Sequence, residues 1–495
     1  MKNKKSTIWT NPSFSIQSNS GVKAIYKSTL LICLPLILVA CGFEQYIAKP
    51  MDTKAIALKI ESKNPESPQF QQFLINNGFS PEHLPVKQWD VDALTYCALF
   101  FHPSLDVARA QWRAAEAATL VAATKPISGI NSHIADSNNA NKDISPYTFG
   151  LSIDVSIESA NKRDIRIENA MHLSQISKLE IAQTAWQLRN FVAQSLYETQ
   201  LNQQQINLLT QEQSFRQQVV TIYQKRANLG VASNVELSTA KLQLQLSTAE
   251  LNAVQHNKLV LLARLASHLG LPLSRVEAMP LLQDAYNTSI RSSAGSIQVK
   301  PEALNRAALL NRLDIRIALE RYATAEAKLK LEIAKQYPDI KLSPGYTYEF
   351  GSHVWSLGLS GLLTLLNKNK LAIAEAKQLR EVDAAQFEAL QSNVIAEASA
   401  ANAKVIQAQQ ALTQQQKLYE LQQHNTQRMT QRLAVGEIDR LELTFSKLED
   451  VIAEKNIALA HFQLKTAINQ LENTLQQPIN TLITQEKLEA LSLNQ

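Results

Sequence analysis

The sequence predicts a mainly helical chain with long antiparallel helical hairpins, four short amphipathic strands, and one body present twice. Three observations predict it. The first is a repeat: residues 226–237 return as 432–443, with six of twelve positions identical or nearly so, among them Arg226/Arg432, Gly230/Gly436, Glu236/Glu442 and Leu237/Leu443. The register holds at 206 residues through Lys241/Lys447, Leu265/Leu471, Leu269/Leu475 and Pro272/Pro478, which marks one structural unit used twice. The second is that 162–227 and 370–434 contain no Pro, so a helix can run unbroken for roughly 100 Å in each. The third is a switch of period, from helical spacing to strict alternation, after Pro126 and again after Pro338.

In the repeat, Gly230 and Gly436 can take the left-handed conformation that ends a helix. Ser233 and Asp439 can accept from the free N–H groups that open the next one. Each copy reads as the turn of a hairpin whose returning arms are 235–269 and 441–475. Apolar positions such as Ile181, Leu188, Leu196, Leu201 and Leu208 recur among Gln, Asn and Ser, a narrow seam of the coiled-coil kind.

Residues 92–123 carry a helical pattern that Pro126 stops, and its counterpart opens at Pro301-Glu302 and runs to Pro338. The alternating runs follow. Tyr147, Phe149, Leu151, Ile153, Val155 and Ile157 form one apolar set; Ile340, Leu342, Pro344, Tyr346, Tyr348 and Phe350 form a second. Trp355, Leu357, Leu359, Gly361, Leu363 and Leu365 form a third, and 127–134 is a weaker fourth. Runs of about ten residues suit tilted strands with one face in lipid and one in water. The outer loops would be 135–146 and 351–353. Four strands cannot close a barrel, and open edges are not tolerated in lipid, so other copies must complete the sheet; strand counting leaves two or three copies open.

Composition narrows the rest. Charged residues are 19% and aromatics 6%, which favours long wet helices over an aromatic core. The formal charge is +5, but residues 1–40 hold five lysines and no acid, so the remainder is neutral and offers no basic surface for nucleic acid. Lysines, then the apolar run 30–40, then Cys41 read as a secretory signal too short to span a bilayer. Residues 38–41 resemble the bacterial lipobox, which implies an acylated Cys41 as first mature residue and, with Gly42 behind it, the outer membrane. Residues 41–91, with Pro50, Pro65, Pro68, Pro81 and Pro85, read as a lipid-anchored extended tether with one short helix near 70–76. Three Cys give no disulfide framework and no zinc spacing. The His residues show no metal-ligand spacing, and no phosphate loop, dinucleotide fingerprint or serine elbow appears. An enzyme is not expected, and neither a cofactor nor a resident metal.

Together these pieces resemble an outer-membrane factor of the TolC family. The resemblance covers about 90–480 and rests on 102–111 (from His102 through Gln111), Tyr147 to Ser152 with Asn161-Lys162-Arg163, Pro338 through Leu359, and the paired Gly turns. It implies a homotrimer with a shared 12-stranded β-barrel in the outer membrane and an α-barrel of twelve helices across the periplasm. It implies a passive duct in a tripartite efflux system, exporting small molecules or metal ions with a periplasmic adaptor and an inner-membrane pump. A type I protein-secretion duct is the alternative of the same kind; a non-conducting coiled-coil envelope lipoprotein is the alternative of another. The domains expected are a signal peptide (1–40), the tether (41–91), a first repeat (92–272), a linker (273–300), a second repeat (301–478) and a tail (479–495).

The resemblance puts the Gly turns at the periplasmic tips. Gly230, Val231, Ala232, Gly436, Glu437 and Ile438 are then the adaptor contacts. The family's closed tip uses a Tyr, an Arg and acids near the second turn. Here those positions hold Leu433, Ile438 and, for the distal acid, Phe445, while Glu442 matches the nearer acid. Leu433, Glu442 and Phe445 are therefore the expected pore constriction, apolar around one carboxylate ring.

Overall fold

A computed structural model describes residues 44–137, 145–283, 306, 308–361, 368–478 and 485–493. The signal segment, Cys41, the Pro301-Glu302 start, most of the 135–146 loop, residues 362–365 of the third apolar set, and the linker beyond 283 lie outside the described residues. Two compact units are distinguished, 1–58 and 59–495. Of the first, residues 44–58 are described: an exposed extended stretch entering helix α1 (Thr53–Glu61).

The second unit contains the long helices. Helix α5 (Lys162–Asn228) runs out and α6 (Asn234–Leu269) returns; α9 (Lys370–Ala434) runs out and α10 (Arg440–Leu475) returns. Packing orders them α6–α5–α10–α9, so the two outgoing-and-returning pairs meet along α5 and α10. That central seam is held by apolar clusters, one of them joining Val219, Val220, Leu237, Leu441 and Leu448 of both hairpins. It is also held by polar ties: Lys455 Nζ donates to Glu212 (3.1 Å), Asn469 Nδ2 to Asn190 Oδ1 (2.7 Å), and Arg189 pairs with Glu472 (2.9 Å) in a fully buried site. Burial of charge is tolerated there because each charged group has its partner.

Four antiparallel strands lie in the order β1 (Gly129–Asp136), β2 (Tyr147–Ile157), β3 (Ile340–Glu349) and β4 (Ser352–Gly361). β1 starts two residues later than its pattern suggests. The second hairpin is also tighter than expected. Ser352 pairs with Glu349 and His353 with Tyr348, leaving Phe350 and Gly351 as a two-residue turn at φ of 49° and 84°. Positive φ at both positions matches the twist of the strands it joins.

Two expectations need correction. The 92–123 pattern is two helices, α3 (Val91–Phe101) and α4 (Pro103–Ala122). Pro103 has no N–H to give and forces His102 into extended backbone, φ −79° and ψ 124°, so His102 ends one helix and caps the next. An equivalent break occurs at Arg312, extended between helical residues 308–311 and α8 (Leu313–Ala334). The tether reading also fails from residue 63 on. Ser67 caps α2 (Pro68–Asn76), and Phe70, Leu74 and Trp89 are buried in the largest core with Leu94, Leu99, Trp186 and Leu265. Sparse aromatics are concentrated there, Phe70 touching Phe73, Trp89, Phe100 and Phe101. Lys63 Nζ donates to Phe101 O (2.5 Å) and Gly270 O (3.0 Å), placing a cation on two helix C-termini at once. A short helix α7 (Leu273–Glu277) and the C-terminal α11 (Gln485–Leu493) complete this belt; Arg109 Nε donates to Ser492 O at 2.8 Å.

Candidate functional site: the sheet faces and the hairpin tips

The sheet faces are opposite in chemistry. Register puts Ile134, Phe149 and Tyr348 in one row, Leu151, Tyr346 and Trp355 in another, and Val155, Leu342 and Leu359 in a third, all on one side. That apolar side is uncovered: Trp355 is 81% exposed, Leu357 73% and Leu359 72%. A water-soluble sheet would bury this face against its helices, and here it does not. The other side is polar. Asn131 Nδ2 donates to Asp154 Oδ2 (2.8 Å) and Ser343 Oγ to Asp154 Oδ1 (2.6 Å). The His133 ring lies over Gly150, where an added Cβ would stand 2.0 Å from it and make the exposed ring swing aside. β1 and β4 each have an unpaired edge.

At the far ends of the hairpins the two turns are built alike. Gly230 sits at φ 74° and Gly436 at φ 79°. Gly230 N–H donates to Ala227 O and Val231 N–H to Arg226 O; Gly436 N–H donates to Leu433 O and Glu437 N–H to Arg432 O. This is the paired bonding that closes a helix through a left-handed residue. Ser233 then opens α6 with a reciprocal box: its Oγ accepts from Glu236 N–H while Glu236 accepts from Ser233 N–H (2.7 Å). Those bonds hold the Glu236 carboxyl below its ordinary range. Asp439 opens α10, accepting from Leu441 and Glu442 N–H at 2.7 and 3.0 Å. A Cβ at either Gly would meet nothing within 4 Å, so only the backbone angle demands glycine and the space outside is open.

The tip residues divide. Val231 is 71% exposed, Glu437 and Glu442 are exposed, and Ala232 is half-buried. Ile438 is only 7% exposed, so it supports the turn from beneath and offers no surface contact; an apolar residue next to a cap packs inward. Leu433 is half-buried. Phe445 lies with Val219, Tyr223, Val235 and Leu448 around a crevice of about 240 Å³ between the hairpins.

Sequence reasoning missed two features. Arg226 of the first tip forms an ion pair with Asp439 of the second; Arg226 was visible only as a repeat position. Arg432, its counterpart, pairs with Glu437 of its own turn (3.1 Å). Further along α10, Asp450 and Glu454 are half-buried and their carboxyls are pushed up by that burial; Thr426 Oγ1 donates to Asp450 at 2.8 Å. Their i, i+4 spacing was the available signal. Among the described residues no group of three or more His, Cys, Asp or Glu could hold a metal, and no helix is long and apolar enough to cross a membrane. Cys97 is buried and unbonded.

Residues 95–271 match the family model described as outer membrane efflux protein. No curated protein matches in sequence. Among solved structures, the outer-membrane channel OprN superposes with TM-score 0.64 at 19% identity, covering 88% of this chain and 99% of that one. The outer membrane protein VceC of Vibrio cholerae gives 0.62 at 17%, covering 78% and 95%. The CmeC outer-membrane channel of Campylobacter jejuni gives 0.62 at 14%, covering 91% and 97%.

Proposed function

We propose that this chain, which matches the outer membrane efflux protein family over residues 95–271 and has the TolC-like fold, is the outer-membrane duct of a tripartite efflux system. The sheet carries this reading: one face exposes Trp355, Leu357 and Leu359, the other is polar, and both edges are unpaired. Lipid does not tolerate open edges, so β4 of one copy must pair with β1 of the next. The edge helices favour the same closure, since α6 exposes Leu242, Leu246 and Val260 and α9 exposes Leu418 and Leu421. Three copies would close a 12-stranded barrel above a helical barrel of twelve long helices. The polar sheet face then lines the conduit.

Cys41 carries the lipid anchor, and the tether is the part before Lys63. The boundaries 92–272 and 301–478 mark the two repeats. At the tips, Gly230, Val231, Ala232, Gly436 and Glu437 receive a periplasmic adaptor, with Ile438 as their support, and an inner-membrane pump supplies the energy. Leu433, Glu442 and Phe445 line the constriction, where Glu442 favours cations. Small molecules or metal ions pass without chemistry. Gly436→Trp should abolish crosslinking to the adaptor while trimers persist; unchanged crosslinking removes the docking claim.

A further inference from the structure

The two strand-to-helix junctions are built alike and end differently. Each passes through two consecutive left-handed residues, Ala160–Asn161 (φ 56° and 55°) before α5 and Lys368–Asn369 (φ 50° and 48°) before α9. Each then opens its helix on a lysine. Lys162 is buried, and its Nζ donates to Tyr337 O (2.6 Å) and Asp339 Oδ1 (2.7 Å), both from the segment that leads into the neighbouring strand β3. Lys370 is exposed, as is Lys368, and neither is in any ion pair among the described residues. The nearby carboxylate, Glu332, is already taken by Asn369 Nδ2 (2.8 Å) and Lys335 Nζ (2.6 Å).

The strand that would stand beside β4 is β1 of another copy. Gly129 of β1 and Gly361 of β4 lie at the same, helix-facing end of the sheet but on opposite edges. The segment leading into β1 is Lys125-Pro126-Ile127, where β3 has Tyr337-Pro338-Asp339. Closure therefore brings a third exposed cation, Lys125, to the junction, on a segment that has Ile127 where the other has Asp339. Beside these cations are two bare apolar side chains, Ile127 at 95% and Leu371 at 85% exposure. The patch lies at the helix-facing end of the sheet, next to Gly129 and Gly361.

We propose that Lys125 of one copy with Lys368 and Lys370 of the next form a site for an anionic phospholipid of the inner leaflet. The phosphate takes the place that Asp339 fills at the other junction. Ile127 and Leu371 meet the acyl chains, which a free phosphate could not use. Cations gathered at a bilayer surface attract anionic headgroups in this way. The inference rests on the closed assembly proposed above.

The test uses full-length, delipidated assemblies in detergent, incubated with phosphatidylglycerol or phosphatidylethanolamine and weighed by native mass spectrometry. Wild-type trimers should retain phosphatidylglycerol over phosphatidylethanolamine. Lys125→Gln/Lys368→Gln/Lys370→Gln should retain about ten-fold less or lower still, with the trimer itself intact. Equal retention of the two lipids, or retention unchanged in the triple variant, overturns the site. Retention seen only in Cys41→Ala chains overturns it as well, since the chain's own anchor would then fill the patch. Lipid-free monomers in place of trimers would refute the assembly reading, a result distinct from trimers that fail to select the anionic lipid.

Discussion

Arg226, at the end of the first outgoing helix, is ion-paired to Asp439, the residue that caps the returning helix of the second hairpin. One carboxylate thus closes a helix end and joins the two tips. Arg432 is turned to Glu437 in its own turn, so the duplicated turns differ in how they are tied.

Asp439→Ala should loosen both tips. Loss of the cap costs about 1 kcal/mol. The ion pair adds little, because both side chains are about a third or more exposed and solvent screens them. Amide exchange at 226–232 and 436–442 should rise together, whereas Glu437→Ala should affect the second turn alone. The Asp439 carboxyl is raised by partial burial but lowered more by Arg226 and the Glu442 and Leu441 N–H groups, leaving it below 3.8. Its stabilisation is complete above the unfolded value and is lost as pH falls through the lower folded value. Tip protection should therefore stay flat from about pH 8 to 5 and fall only below about 4.

Lys465 presents the opposite case. Burial pushes its amine down to about 8 from 10.5, with the Tyr197 ring 5.3 Å away and Gln200 Oε1 accepting at 3.2 Å. A lysine lowered in the folded state is a cost at pH values below about 8, and the cost fades as pH rises toward 10.5. Lys465→Met should raise the melting temperature at pH 7, by the equivalent of about 2 kcal/mol. That gain should shrink on titration to pH 10; a pH-independent gain would assign it to packing.

Removing half of the Arg189–Glu472 pair should be severe. Both side chains are nearly inaccessible, and Arg189 lies over the Trp186 ring at 5.3 Å. Glu472→Ala leaves a guanidinium buried without its carboxylate, at a cost of about 3–5 kcal/mol. Thermal unfolding should show the loss, and Glu472→Asp should recover part of it.

The sheet gives a two-sided test. Leu357→Arg places a cation on the apolar face, costing about 2–4 kcal/mol at mid-bilayer, and should block membrane assembly. Ser356→Lys, one residue away on the polar face, should assemble. Fractionation of outer membranes reads the difference.

Much of this was legible because it depends on local period. Helix limits at Lys370 and Leu475, the alternating strands and the Gly turns follow from spacing and missing prolines. What escaped depends on contacts between distant segments. Phe70 and Trp89 looked like parts of a proline-rich tether because their partners, Trp186 and Leu265, lie far along the chain. Ile438 looked exposed by its place in a turn, yet packing buries it. The Arg226–Asp439 pair joins two copies of a repeat, and comparing the copies aligned them without pairing them.

The central claim is that copies of this chain close into a conducting duct. Full-length protein extracted from outer membranes should run as a heat-resistant trimer and, reconstituted in planar bilayers, give discrete ion-conducting steps. Monomers recovered from the soluble periplasm, or trimers that never conduct under any applied voltage, would contradict it.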